Sequence, residues 1–172
     1  TRKASAATTI TIGIKSQTKE QKQKNKLALN GGLKVSQSGK VITIRWGKLA
    51  EADGYDVYVQ YCGKKFKQPT ATTTSGNIGS VRVKKVNGKK LKLKANYKVY
   101  ISAYTVVNGQ KITLCKSIPA HVVGAKNKKY SNARNIQVKK SRITLKKRKS
   151  TTIKAKTILV NRRKKQLSNK HA

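Results

Sequence analysis

Residues 97–107 read YKVYISAYTVV, and their alternation decides the fold. Tyr97, Val99, Ile101 and Ala103 fall on one face of an extended chain. Tyr100 and Tyr104 fall on the other. A period of two with one apolar face predicts a half-buried β-strand. Working outward, the same pattern recurs. GYDVYVQY (54–61) places Tyr55, Val57, Val59 and Tyr61 together, with Tyr58 opposite. VITIRW (41–46) places Ile42, Ile44 and Trp46 together. Val81 and Val83 share a face, as do Leu33 and Val35. KITLCKSI (111–118) is read as the last strand of the series. Asn87-Gly88 and Asn108-Gly109 are hairpin turn signals. Residues 64–79 form a Lys-, Thr- and Gly-rich connection, with a weak strand around Phe66. No segment sustains a 3.6-residue period. Short strands, each with one apolar face, predict an all-β antiparallel β-sandwich.

Several of these residues also carry a resemblance. Trp46 at the end of its strand, the GYDVYV run, LKLKANY (91–97) and YKVYISAY together resemble a fibronectin type III domain, over about residues 33–123. The spacing of Leu91 and Tyr97 resembles that family's tyrosine corner, in which the hydroxyl ties the turn backbone. LKA stands here where the family usually carries a proline-containing turn. Beyond a polar, basic stretch, NIQVKKSRITLKKRKSTTIKAKTILV (135–160) resembles the opening strands of a bacterial immunoglobulin-like domain of group 2. Ile143 and Leu145, then Ile153 and Ala155, would supply its core faces. The resemblance implies this division: 1–26, an N-terminal strand and linker; 27–124, the fibronectin type III-like domain; 125–134, a linker; 135–172, a partial immunoglobulin-like segment. It also implies a bacterial cell-surface or secreted setting, and binding or spacing roles.

The charge is extreme. Lys and Arg total 42 against four acids, Glu20, Glu51, Asp53 and Asp56, for a net charge of +38. Self-repulsion of this size destabilises a compact state unless a partner neutralises it. An acidic cell-wall or host polymer, or nucleic acid bound without sequence preference, would do so. Lys outnumbers Arg, which suits phosphate contact better than base reading. The polyanion-binding candidates are Lys84, Lys85, Lys89, Lys90, Lys146, Lys147, Arg148, Lys149, Arg162, Arg163, Lys164 and Lys165. Tyr58, Tyr100 and Tyr104 form a candidate surface aromatic patch for a glycan or partner.

Self-association is the other expectation. Half an immunoglobulin-like sandwich leaves an unpaired edge, and TTITIGIK (8–15) is a strand without a sheet. Ile10, Ile12 and Ile14 are candidates for strand donation to a neighbour. Pairing within the same chain and frayed ends remain alternatives. The leading expectation is thus a structural or adhesive surface module, with a fibre subunit as its specific form. The alternative is a non-specific binder of acidic polymers.

No catalytic constellation is found, and no enzyme activity or cofactor is expected. Glu51, Asp53 and Asp56 crowd one loop-and-strand region instead of flanking a cleft, as a glycosidase would need. His121 and His171 neighbour no nucleophile and read as ordinary surface histidines. Cys62 and Cys115 are too few for a zinc site, and free thiols and a disulfide both remain open. No apolar run approaches a membrane span.

Overall fold

Strands over 54–61 and 96–107 pair directly, in the register their alternation implies. Tyr55 faces Ala103, Val57 faces Ile101, Val59 faces Val99 and Tyr61 faces Tyr97. The computed structural model describes residues 17–139 and 142–167. Its elements are α1 (Lys19–Gly32), β1 (Lys34–Ser38), β2 (Val41–Arg45), β3 (Gly54–Tyr61), β4 (Ala71–Thr73), β5 (Ser80–Val83), β6 (Lys85–Val86), β7 (Lys89–Lys90), β8 (Asn96–Val107), β9 (Gln110–Lys116), β10 (Ala120–Val123), β11 (Tyr130–Ser131), β12 (Ala133–Val138), β13 (Ala155–Leu159) and β14 (Lys165–Gln166).

The fold is an antiparallel β-sandwich. One sheet runs β1-β2-β5 and the other β10-β8-β3-β4, with β9 also on β8. Ile42 and Ile44 from the first sheet meet Tyr55, Val57, Val99 and Ile101 from the second, all fully buried. The Trp46 ring packs at 5.3 Å from Tyr55. Strand β8 is long enough to carry two partners along one edge. β9 pairs with its C-terminal half and β10 with its N-terminal half. Between them Ser117 keeps the ladder closed, its hydroxyl accepting from the Ile101 amide at 2.9 Å.

The Tyr97 hydroxyl accepts from the Lys92 amide at 2.6 Å and donates to the Lys92 carbonyl at 3.2 Å. The ring is fully buried, so the turn backbone is tied to the core without a proline. Tyr97→Phe leaves that amide without its partner. A loss of about 1–3 kcal/mol is expected, read as a lower urea midpoint with an unchanged slope.

Five expectations are corrected. The segment read as linker up to residue 26 is helical, and α1 crosses the 26/27 boundary. Thr18 caps it, accepting from the Gln21 amide at 3.1 Å. Glu20 lies in the first turn, where a carboxylate favours the helix dipole. One face is inward, with Asn25 and Leu29 buried. The C-terminal end seats against the β2–β3 loop. A Cβ at Gly32 would collide with Gly47, and one at Gly47 with the Ala28 carbonyl. No strand forms at Phe66, whose ring folds back onto the sheet. KITLCKSI is followed by a further strand, β10, because Pro119 interrupts the edge without ending it. The segment expected as a linker, 125–134, holds β11 and the start of β12. Asn127 pins it, donating to the Lys94 carbonyl at 2.8 Å and accepting from the Tyr130 amide at 2.8 Å.

The fifth correction concerns the C-terminal segment. Ile143, Leu145, Ile153 and Ala155 are exposed and form no core face. Instead β12 pairs with β13 as an isolated two-stranded ribbon, and β11 pairs with β14 in parallel. Ile10, Ile12 and Ile14 lie outside the described residues.

Candidate functional site

The outer face of the larger sheet presents the residues of opposite parity to the core. Tyr58 and Tyr100 are direct cross-strand partners. Their rings stack at 4.4 Å between centroids and 7° between planes. Phe66 stands edge-on to Tyr100 at 4.7 Å. The Lys98 ammonium lies 5.1 Å from the Phe66 centroid. Burial, then the neighbouring Tyr58, pushes the Tyr100 hydroxyl up to about 12. A stack of this kind stabilises the strand pair by about 0.5–1.5 kcal/mol. It also uses one face of each ring.

Tyr104 does not belong to this patch. It is only 4% exposed, and its hydroxyl donates to the Thr73 carbonyl at 2.7 Å. The cause is Gly54, directly opposite in the ladder. A Cβ there would collide with the Tyr104 hydroxyl. Glycine leaves a trough, and the ring fills it under the Lys111 ammonium at 4.1 Å. The patch is therefore Tyr58, Tyr100, Phe66 and Lys98. The sequence marked Phe66 only as the centre of a weak strand, and nothing local placed its ring on Tyr100.

The acids are engaged separately. Asp53 accepts from the Thr105 hydroxyl and the Val106 amide, both at 2.7 Å, and these bonds lower its pKa. Asp56 accepts from the Thr72 hydroxyl at 2.6 Å and pairs with Lys111 at 3.0 Å. Glu51 accepts from Gln17. Each fastens a loop or neighbouring strand. Among the described residues no group of three or more His, Cys, Asp or Glu could hold a metal. Cys62 and Cys115 are free thiols, both pushed up by burial.

His121 is half-buried instead of lying free on the surface, and its Nε2 has no hydrogen-bond partner. Burial, then Lys98, holds the imidazole below its ordinary 6.5. The unfolded chain therefore takes up this proton at a higher pH than the folded chain. Stability is expected to fall as pH drops below about 6.5. His121→Asn should flatten that part of a stability–pH profile. The lowered Asp53 acts separately, below its ordinary 3.8.

The basic candidates fall in three places. Lys85 and Lys90 oppose each other on the β6–β7 hairpin, with Lys84 and Lys89 beside them, all exposed. Lys146, Lys147, Arg148 and Lys149 occupy an exposed turn closed by the Lys149 amide on the Lys146 carbonyl. Arg162 and Arg163 follow β13, and Lys164 has a structural partner. Its ammonium donates to the Asn127 carbonyl at 2.6 Å. The Lys165 amide donates to the Lys129 carbonyl at 3.0 Å. Asn127, Ser131 and Asn132 thus tie the C-terminal segment to β8 and β10. The sequence reading missed this polar knot, which only the Asn and Ser content of 125–134 hinted at.

Nothing among the described residues covers the β12–β13 ribbon. Ile136 is 65% exposed and Val160 67%, and Val138 and Ile153 are exposed too. Clefts of about 380 and 280 Å³ run along it, lined by Gln137, Thr157, Ile158 and Leu159 and by Val138, Lys154 and Ala155. Among the described residues no helix is long and apolar enough to cross a membrane. No family model matches the chain, and no curated protein matches it significantly.

Proposed function

We propose that this protein is a non-enzymatic module of the bacterial cell surface, built on a fibronectin type III-type sandwich, that works by assembly through its C-terminal ribbon. The carrying observation is the β12–β13 pair, which nothing among the described residues covers. An isolated two-stranded ribbon is marginal in water, and its outer edges carry unpaired backbone groups that template another strand. Exposed Ile136 and Val138 give such a strand an apolar face to cover. The three-stranded sheet opposite a four-strand order of β10-β8-β3-β4, and the Tyr97 hydroxyl on Lys92, support the fibronectin type III reading. The surface setting rests on the resemblance, and residues 8–15 of a neighbouring copy are the proposed donor strand.

Light scattering on the full chain tests this. Self-association that rises with concentration is expected. It should be lost on deleting 8–15 or in Ile136→Ser/Val138→Ser, whose melting temperature should hardly change because both side chains are exposed. A monomer at all concentrations, or an oligomer indifferent to both changes, would overturn it. A second reading is favoured by a specific observation: among the described residues the one ion pair is Lys111–Asp56. Nearly all the described cations therefore have no carboxylate partner and can neutralise an acidic polymer.

A further inference from the structure

We infer that the β6–β7 hairpin is a preformed anion clasp, in which Lys85 and Lys90 bridge one phosphate of a linear phosphodiester polymer. The inference rests on the polyanion reading above and assigns it a place. Lys85 and Lys90 are direct cross-strand partners. Asn87 and Gly88 both have positive φ, 50° and 74°, which makes the two-residue turn of the type that matches strand twist. In such a hairpin the pair next to the turn-closing pair is the close, non-hydrogen-bonded kind. Like charges set opposite each other there repel.

The hairpin cannot relieve that repulsion by swinging away. Val86 anchors it in the core at 1% exposed. The Asn87 side-chain amide donates to the Gln60 Oε1 at 3.1 Å, and Gln60 is itself 2% exposed and bonded to the Tyr61 amide. Nor does an ion pair offset the repulsion, since among the described residues the one ion pair is Lys111–Asp56. Two ammonium groups carried on an anchored backbone pair become favourable neighbours when an anion sits between them. Lys34 and Arg45 also oppose each other, across β1–β2. Four pairs on from the turn-closing Ser38–Val41 pair, they fall on the wider, hydrogen-bonded kind. The other basic candidates lack a direct cationic partner. The 146–149 group sits on an exposed turn, and the Lys164 ammonium is committed to Asn127. Ammonium groups contact phosphate as point charges and read no base edge, so the backbone chemistry alone is recognised.

Lys85→Gln/Lys90→Gln tests the clasp against Lys64→Gln/Lys65→Gln, which removes the same charge from a loop. In the full chain at low salt the hairpin variant should melt no lower than the parent, because repulsion is relieved. It should bind inorganic polyphosphate roughly tenfold more weakly and flatten the log–log salt dependence by about one contact, with a much smaller loss in the loop variant. Lys85→Glu should keep the fold, by pairing with Lys90, and lose the same binding. Arms with a glycerol-phosphate polymer and with a single-stranded oligonucleotide of mixed sequence separate the sources. Equal binding at equal charge is expected, and a tenfold preference for either would overturn backbone-only recognition. Equal losses in hairpin and loop variants would overturn the clasp and leave the polyanion reading standing. No binding by the parent chain at low salt would remove both.

Discussion

Leu29→Ala is expected to destabilise the sandwich by about 2–5 kcal/mol, as deletion of a fully buried leucine does elsewhere. Leu29 is 0% exposed and belongs to the same cluster as Ile42, Ile44 and Tyr55. The helix meets the sandwich at both levels. Leu29 enters the core, and the Asn30 side chain accepts from the Ile118 amide at 2.6 Å, just where Pro119 breaks the edge strand. An independent linker helix would tolerate the change. Loss of a single cooperative urea transition, or a midpoint shift of the expected size, follows only if α1 folds with the sheets. Leu27, two residues earlier and 67% exposed, is the control. Its alanine variant should shift the midpoint by less than about 0.5 kcal/mol.

Binding of an acidic polymer to the full chain is expected to weaken by about three orders of magnitude or more between 50 and 200 mM salt, if six or more phosphates are contacted. The cause is the imbalance of 42 cations and four acids. Each neutralised phosphate releases condensed counterions, and added salt removes that advantage. The same polymer should raise the melting temperature at low salt, because it binds the folded chain and relieves its self-repulsion. Affinity insensitive to salt would mean that the lysines are not the contact. The aromatic patch offers a separate check. Tyr58→Ala should cost about 0.5–1.5 kcal/mol of stability through the lost stack while leaving the salt dependence unchanged. The Tyr58–Tyr100 pair is a cross-strand clamp.

Strand parity was legible because a side chain in a strand has only two directions. Ile42, Ile44, Tyr55, Val57, Tyr97, Val99 and Ile101 are inward as their alternation requires. The turns at Asn87-Gly88 and Asn108-Gly109 were legible because few residues accept positive φ at both positions. The helix was hidden by composition. With lysine at 19, 22, 24 and 26, it places a single leucine in the core. Only Thr18 followed by Gln21 three residues on carried an N-terminal signal.

The outward parity of Tyr104 was also correct, and its exposure was not. Alternation assigns a face of the sheet; it does not say what lies on that face. Gly54, across the ladder, opens the trough that buries the ring. The C-terminal segment failed in the opposite sense. Its apolar residues alternate like those of a core strand, yet the described structure supplies nothing to cover Ile136 or Val138.

The sequence by itself determined the antiparallel sandwich, the inward faces of its principal strands and the uncompensated positive charge. These follow from local geometry and from counting. Only the tertiary structure decided that residues 19–32 belong to the core, that Tyr104 is sealed under Lys111, that the Lys85–Lys90 hairpin is anchored by Val86 and Gln60, and that nothing among the described residues covers Ile136 and Val138. Each of those depends on which distant residue arrives alongside, and no local period encodes that.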